Sequence, residues 1–147
     1  MHMIEAIWTS FIASAGFGIL FNVPKKAVIP GGICGMIGWL IFEGMSGNSQ
    51  FDLVLATAMA SFVVAGISHL YARIHRMPVI IFSVSGIIPL VPGGGAYDTM
   101  RQLVENDYNA AIQLGSQTFL ISGAIAFGLV LAGTIIPIIL RSQRTVK

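Results

Sequence analysis

Residues 85–100, SGIIPLVPGGGAYDTM, decide how this chain is expected to fold, because they interrupt what would otherwise be a membrane helix. Two prolines and three consecutive glycines lie in this stretch, and long apolar runs lie on both sides of it. Backbone that is not helical is tolerated at membrane depth only where protein buries it or where it lines a polar cavity. Transporters bind their substrates at breaks of this kind. The stretch therefore predicts a broken membrane helix beside a candidate substrate site.

The composition around this stretch is that of an integral membrane protein. Of the 147 residues, 55% are hydrophobic and only 10% are charged, and the mean hydropathy is +0.84. A soluble domain carries roughly 25% charged residues, and most of them lie on the surface that faces water. This chain has too few charged residues to form such a surface. The length is that of one membrane domain, residues 1–147.

Several other classes of protein find no support in the residues. Cys34 is the single cysteine, so no internal disulfide is expected, and no cluster of cysteine and histidine has the spacing of metal ligands. Neither a catalytic constellation, a Walker motif nor a dinucleotide fingerprint is present. The net charge of +2 is too small to indicate nucleic-acid binding. The sequence predicts neither an enzyme nor a protein with a metal or another cofactor.

Five stretches are apolar enough to be membrane spans, for which about 20 residues are needed. The predicted spans are residues 4–23, 29–45, 52–71, 79–91 and 110–140. The first is not preceded by Lys or Arg, so we expect a retained span rather than a secretory signal peptide. The last is too long to cross upright and must tilt, kink or project beyond the lipid.

The fourth predicted span is too short to cross the membrane. At 1.5 Å per residue it covers roughly 20 Å of a hydrocarbon core of about 30 Å. It should therefore end inside the membrane at Pro92. A short amphipathic helix over 96–106 is expected to follow. The predicted fold is an all-α integral membrane protein with five transmembrane helices, a broken fourth helix and this amphipathic helix before the fifth.

Charged residues predict the orientation of the spans. Basic residues follow the first, third and fifth spans, namely Lys25, Lys26, Arg73, Arg76, Arg141, Arg144 and Lys147. On the other side of the membrane the spans carry acidic residues, and Arg101 is the one basic residue expected there. The acidic residues are Glu5, Asp52, Asp98, Glu105 and Asp107. By the positive-inside rule the N-terminus lies outside the plasma membrane and the C-terminus lies in the cytoplasm.

The run Pro92, Gly93, Gly94 and Gly95 is the strongest candidate for a binding site. Glycine takes a positive φ without steric cost, and successive N–H groups in such a turn form a concave site for an anion. The N-terminus of the following helix directs a positive dipole end at the same place. This combination suits a carboxylate. The alternative is that the glycines only permit a tight turn between helices.

Asp98 has three possible roles in this picture. In the first turn of the amphipathic helix it would stabilise the helix N-terminus, but it could instead meet the ammonium group of an amino acid or take up a proton that couples transport. Tyr97 and Thr99 flank it as hydrogen-bonding groups. Arg101 is expected to pair with Glu105 at i,i+4, and it is the alternative counter-ion for a substrate carboxylate.

Gln113 and Gln117 share one face of the last predicted helix, one turn apart. Amides are costly in lipid unless they face protein or a cavity. They are therefore expected either to form hydrogen bonds between helices or to line the substrate cavity.

At residues 87–133 the sequence IIPLVPGGGAYDTMRQLVENDYNAAIQLGSQTFLISGAIAFGLVLAG resembles the signature of the threonine/serine exporter superfamily. The likeness is clearest over residues 79–133 and weaker over the first three spans. Pro92, Gly93 and the helix after them match best. The length of the chain resembles that of the family's small, membrane-only subunit, or of the C-terminal membrane half of fused exporters.

This resemblance implies a secondary exporter of small carboxylate-bearing metabolites, such as threonine, serine or succinate. The substrate carboxylate would bind the glycine amides, while Tyr97, Gln113 and Gln117 orient the remainder. A larger homologous membrane subunit with a cytoplasmic domain is the implied partner, and a homo-oligomer is the alternative. With an odd number of spans, a homologous tandem partner would be inverted, which is a common basis of alternating access. The rival hypothesis is a scaffold or assembly subunit that transports nothing.

Overall fold

The computed structural model describes residues 2–47 and 52–142, and the secondary structure of this part of the chain is helical throughout. In chain order the helices are α1 (His2–Leu20), α2 (Lys25–Ser46), α3 (Leu53–His75), α4 (Val79–Ile87), α5 (Gly93–Val104) and α6 (Tyr108–Ser142). A short 3-10 turn, Ile88–Leu90, continues α4. These bounds confirm the all-helical class and the interruption of the fourth predicted span.

Three of the helices are long and apolar enough to cross a membrane: α2, α3 and the part of α6 from Tyr108 to Ile139. The segment Val79–Leu90 and α5 pass the same test only as a pair, which is bent by 52°. The apolar part of α1, Ile4–Leu20, is shorter. The chain is thus a multi-span membrane protein, and the count of five spans stays a prediction because α1 and the bent pair are not full-length apolar helices.

Close approach between α2 and its neighbours forms the centre of the bundle. Gly35 packs directly on the Ser14 side chain of α1, and Gly38 packs on the Val64 side chain of α3. A Cβ at either glycine would overlap these atoms, so the helices approach as closely as the missing side chains allow. Small residues are common at such contacts in membrane bundles because they let two backbones approach closely. Van der Waals contacts then stabilise the pair, since lipid supplies no hydrophobic driving force between helices.

The buried end of α4 lies in the same centre. Ser85 packs against Gly31, where an added Cβ would lie 3.1 Å from the serine Cβ, and Gly86 approaches both Cys34 and Val64. The last turns of α4 therefore lie inside protein, whereas Val91, Gly93 and Gly94 at the break itself are exposed.

α3 and α6 run parallel and pack tightly. Gly128 lies against Ser61 and against the Ala58 carbonyl, and Gly66 lies against Ile136 further along both helices. Counting back from the first of these contacts, α3 begins level with about residue 120 of α6. The N-terminal turns of α6, residues 108–119, therefore extend beyond the start of α3.

α5 packs on the projecting turns of α6 as an antiparallel helical hairpin. We call α5 and residues 108–119 the hairpin. Gly95 meets Thr118 and Thr99 meets Gly115, so the contact consists of small side chains. Asn106 turns the chain in the left-handed conformation (φ 63°). The Asp107 carboxylate then accepts a hydrogen bond of 3.1 Å from the Ala110 N–H and caps α6.

A candidate substrate site at the helix break

Pro92 bends the chain between the 3-10 turn and α5, so that the axis of α5 departs by 52° from that of the segment Val79–Leu90. Its backbone angles are φ −78° and ψ 56°, and the N–H of Gly93 donates a 2.8 Å hydrogen bond to the Val91 carbonyl across it. These values describe an inverse γ-turn. Proline suits the centre of this turn because its ring fixes φ near the required value.

The three glycines form the first turn of α5, which corrects one sequence-based expectation. No glycine among the described residues has a positive φ, so Gly93, Gly94 and Gly95 are helical rather than a left-handed nest. The turn falls on Pro92 instead, and α5 begins three residues before the predicted position 96. The binding groups that remain are the free amides of a helix N-terminus.

Gly94 and Gly95 supply those free amides. Gly93 donates to Val91 and the N–H of Ala96 donates to the Pro92 carbonyl at 3.1 Å. The amides of Gly94 and Gly95 therefore have no acceptor among the described residues. Such groups bind anions readily because the helix dipole acts in the same direction.

The glycines differ in what surrounds them. A Cβ placed on Gly93 or Gly94 would meet nothing within 4 Å, whereas a Cβ on Gly95 would lie 2.5 Å from the Thr118 hydroxyl oxygen. Gly95 is thus required by packing of the hairpin. Gly93 and Gly94 are not, and the space beside them is open to a ligand or to another chain.

A cavity of about 250 Å³ lies beside the break and is partly open to the outside. Its lining is uncharged and comes from four parts of the chain, namely Trp39, Phe42, Thr57, Pro89, Leu90, Val91, Pro92 and Ile121. The rings of Trp39 and Phe42 are 5.3 Å apart. The hydroxyl of Thr57 donates a 2.8 Å bond to the Leu53 carbonyl, and its oxygen can still accept a bond from a ligand. The cavity can therefore hold a small, largely apolar group beside Pro92, which precedes the free amides in the chain.

Among the site residues predicted from sequence, only Pro92 lines this cavity. Trp39, Phe42 and Thr57 were missed because no local pattern distinguishes them from other apolar or small residues of membrane helices. They meet only where α2, α3 and the 3-10 turn after α4 converge. An aromatic pair three residues apart on a glycine-rich helix is the one signal that could have suggested them.

Tyr97 and Asp98 lie on exposed parts of α5. Tyr97 is 68% exposed and, together with Met100, Arg101, Val104 and Glu105, lines a shallow groove of about 300 Å³. Asp98 lies in the second turn of α5, because the helix begins at Gly93, and no side chain caps that end. The predicted first-turn position of Asp98 was therefore wrong by one turn, and its dipole interaction is correspondingly weaker.

The Arg101–Glu105 pair forms as predicted. Arg101 Nε lies 2.9 Å from Glu105 Oε1 in an exposed i,i+4 pair. Its guanidinium is thus engaged by a neighbouring carboxylate on the outer face of α5. No group of three or more metal-binding side chains occurs among the described residues.

Gln113 and Gln117 are exposed on α6, and the structure does not bring them to α5. The side of α6 that contacts α5 carries Gly115 and Thr118. At 100° per residue, Gln113 and Gln117 lie on a different side of the helix. Neither amide side chain has a hydrogen-bond partner in the described part of the chain. In this chain the predicted residues thus form separate surfaces rather than one enclosed pocket.

Comparison with known proteins agrees with the resemblance noted in the sequence. A family model described as "Threonine/Serine exporter, ThrE" matches residues 6–135. An uncharacterized protein of Haemophilus influenzae is 32% identical over 133 residues, which cover 83% of this chain and 43% of the relative. The chain therefore spans less than half the length of that curated relative. No solved structure matches it.

Proposed function

This chain belongs to the threonine/serine exporter family, and we propose that it is a membrane subunit of a secondary transporter. Its substrates are small carboxylate-bearing metabolites, either amino acids such as threonine and serine or dicarboxylates such as succinate. The single domain crosses the membrane five times, through α1, α2, α3, the broken α4 and α6. Its N-terminus lies outside and its C-terminus in the cytoplasm, in keeping with the positions of the basic residues.

The observation that carries the proposal is the pair of free amides at Gly94 and Gly95 beside an uncharged cavity at a helix break. The substrate carboxylate accepts hydrogen bonds from these amides at the positive end of α5. Its remainder enters the cavity between Trp39, Phe42 and Thr57. Half-helix ends that face a cavity at membrane depth bind anionic substrate groups in the same way in other transporters.

A second surface completes the site. Tyr97, Asp98, Gln113 and Gln117 are exposed in this chain, although amides and carboxylates in a membrane protein are expected to face protein or a cavity. The longer relative carries additional chain beyond the matched region. We therefore assign these residues to the interface with a homologous membrane subunit, or with a second copy of this chain, and Asp98 to the substrate ammonium group or to a coupling proton.

Transport into liposomes tests this function. The chain is reconstituted with and without the partner subunit, and counterflow of a panel of amino acids and dicarboxylates is measured. We expect uptake of at least one carboxylate-bearing substrate and its loss in Gly94→Val, where the added side chain occupies the space beside the amides. Gly16→Val is the matched control, because a Cβ at exposed Gly16 also meets nothing within 4 Å and lies on α1.

Two results contradict the proposal at different levels. Normal counterflow by Gly94→Val would show that the substrate does not bind at the glycine amides, while the proposal that the chain is a transporter subunit would stand. If the wild-type chain together with its partner showed no counterflow of any substrate in the panel, the proposal of transport would be rejected in favour of the scaffold hypothesis.

A further inference from the structure

The turn between α1 and α2 forms a groove of about 430 Å³. α1 ends there because Asn22 adopts the left-handed conformation (φ 56°), and Val23 N–H donates to the Gly18 carbonyl at 2.9 Å. Pro24 then precedes the first residue of α2. The groove lies between the last turn of one helix and the first turn of the next, at one end of the bundle and away from the helix break.

The groove has a mostly apolar lining that includes one basic residue. Its lining consists of Ile19, Asn22, Val23, Lys25, Val28 and Ile29. Ile19 is 66% exposed and Ile29 is 63% exposed, so this chain leaves its apolar walls uncovered. Lys25 is the basic residue of the lining, and Lys26 is its exposed neighbour in the chain.

The charge at this end of the bundle is uncompensated. Val23 packs on the cluster that contains Ala72 and Phe82, so the C-terminal end of α3, with Arg73 and Arg76, lies at the same end. The one ion pair among the described residues is on the hairpin, so neither Lys25 nor Lys26 has a carboxylate partner there. Glu5, Glu43 and Asp52 lie near the opposite ends of their helices.

We propose that this groove binds an anionic phospholipid. The lipid phosphate contacts Lys25 and Lys26, and an acyl chain lies along Ile19, Val28 and Ile29. A phospholipid is the ligand that combines an anion with an apolar chain at the end of a membrane span, and basic pockets between membrane helices bind such headgroups. The site is independent of the proposed transport function, since it shares no residue with the helix break.

Native mass spectrometry of the purified chain in detergent tests the site, with phosphatidylglycerol and phosphatidylcholine as the two probes. We expect preferential retention of phosphatidylglycerol. The double variant Lys25→Gln/Lys26→Gln should lose this preference, with affinity falling by roughly fivefold for each lysine removed. Arg73→Gln/Arg76→Gln removes the same charge away from the groove lining and should lose much less.

A second variant separates the groove from its charge. Val28→Trp fills the groove and keeps both lysines, and we expect it to reduce lipid retention while the helical circular dichroism stays unchanged. Three outcomes overturn the proposal: equal retention of both lipids by the wild type, an equal loss in the two charge variants, or displacement of the lipid by inorganic phosphate, which would reveal a plain anion site.

Discussion

Glycine has opposite roles in two regions of this molecule, the centre of the bundle and the start of α5. At Gly35 and Gly38 the missing side chain is replaced at once by atoms of a neighbouring helix. At Gly93 and Gly94 the missing side chain leaves open space. The first pair brings helices together, whereas the second exposes backbone amides. The comparison shows that a glycine-rich texture is informative about function only after the neighbours of each glycine are known.

The largest effect on stability is expected at the glycines in the centre of the bundle. Gly38→Val should destabilise the folded protein by about 1–3 kcal/mol, because the new side chain overlaps Val64 in a packed core. Thermal unfolding in detergent, followed by loss of helical circular dichroism, measures the change. A variant as stable as the wild type would show that α2 and α3 separate easily, and the contrast between the two regions would then fail.

Changing the cavity wall tests the region between the two sets of glycines. Trp39→Leu should enlarge the cavity and shift relative export rates toward substrates with longer side chains by up to about tenfold, the discrimination that a small apolar volume supports. The measurement is competitive export of serine, threonine and a bulkier amino acid. Ile29→Leu, on the distant groove, is the control. Unchanged selectivity in Trp39→Leu would place the substrate elsewhere.

The start of α5 contains both kinds of glycine and permits a finer test. Gly94→Ala should stabilise the chain by up to about 1 kcal/mol, since alanine favours the helix and its Cβ meets nothing. Gly95→Ala should destabilise it, because the Cβ approaches Thr118. The double variant Gly95→Ala/Thr118→Ala should recover the loss. Equal thermal midpoints for Gly94→Ala and Gly95→Ala would contradict the assigned packing.

The smallest effect is expected on the outer face of the hairpin. Arg101→Gln should leave the thermal midpoint unchanged within error, because exposed ion pairs contribute little to stability. Export should also persist if the amides, rather than this guanidinium, hold the substrate carboxylate. A tenfold or greater loss of export with unaltered stability would instead make Arg101 the counter-ion.

The sequence predicted the broad fold through features that act locally. Apolar runs long enough to cross a membrane gave the helices, and Pro89 and Pro92 marked the interruption. Boundaries were less accurate: α2 begins at Lys25 rather than at 29. Lysine side chains can keep their charged ends in water while their stems cover apolar surface. The two lysines therefore lie in the first turn of α2 rather than before it.

By itself, the sequence determined that this is a helical membrane chain with a break at Pro92, because hydropathy and proline act within a few residues. Only the tertiary structure decided which glycines pack against a neighbouring helix and which face open space. That difference depends on side chains such as Thr118, which belong to helices distant in the sequence. The tertiary structure also placed Trp39 and Thr57 together and kept Gln113 apart from Tyr97, because helix packing, not spacing along the chain, sets which faces meet.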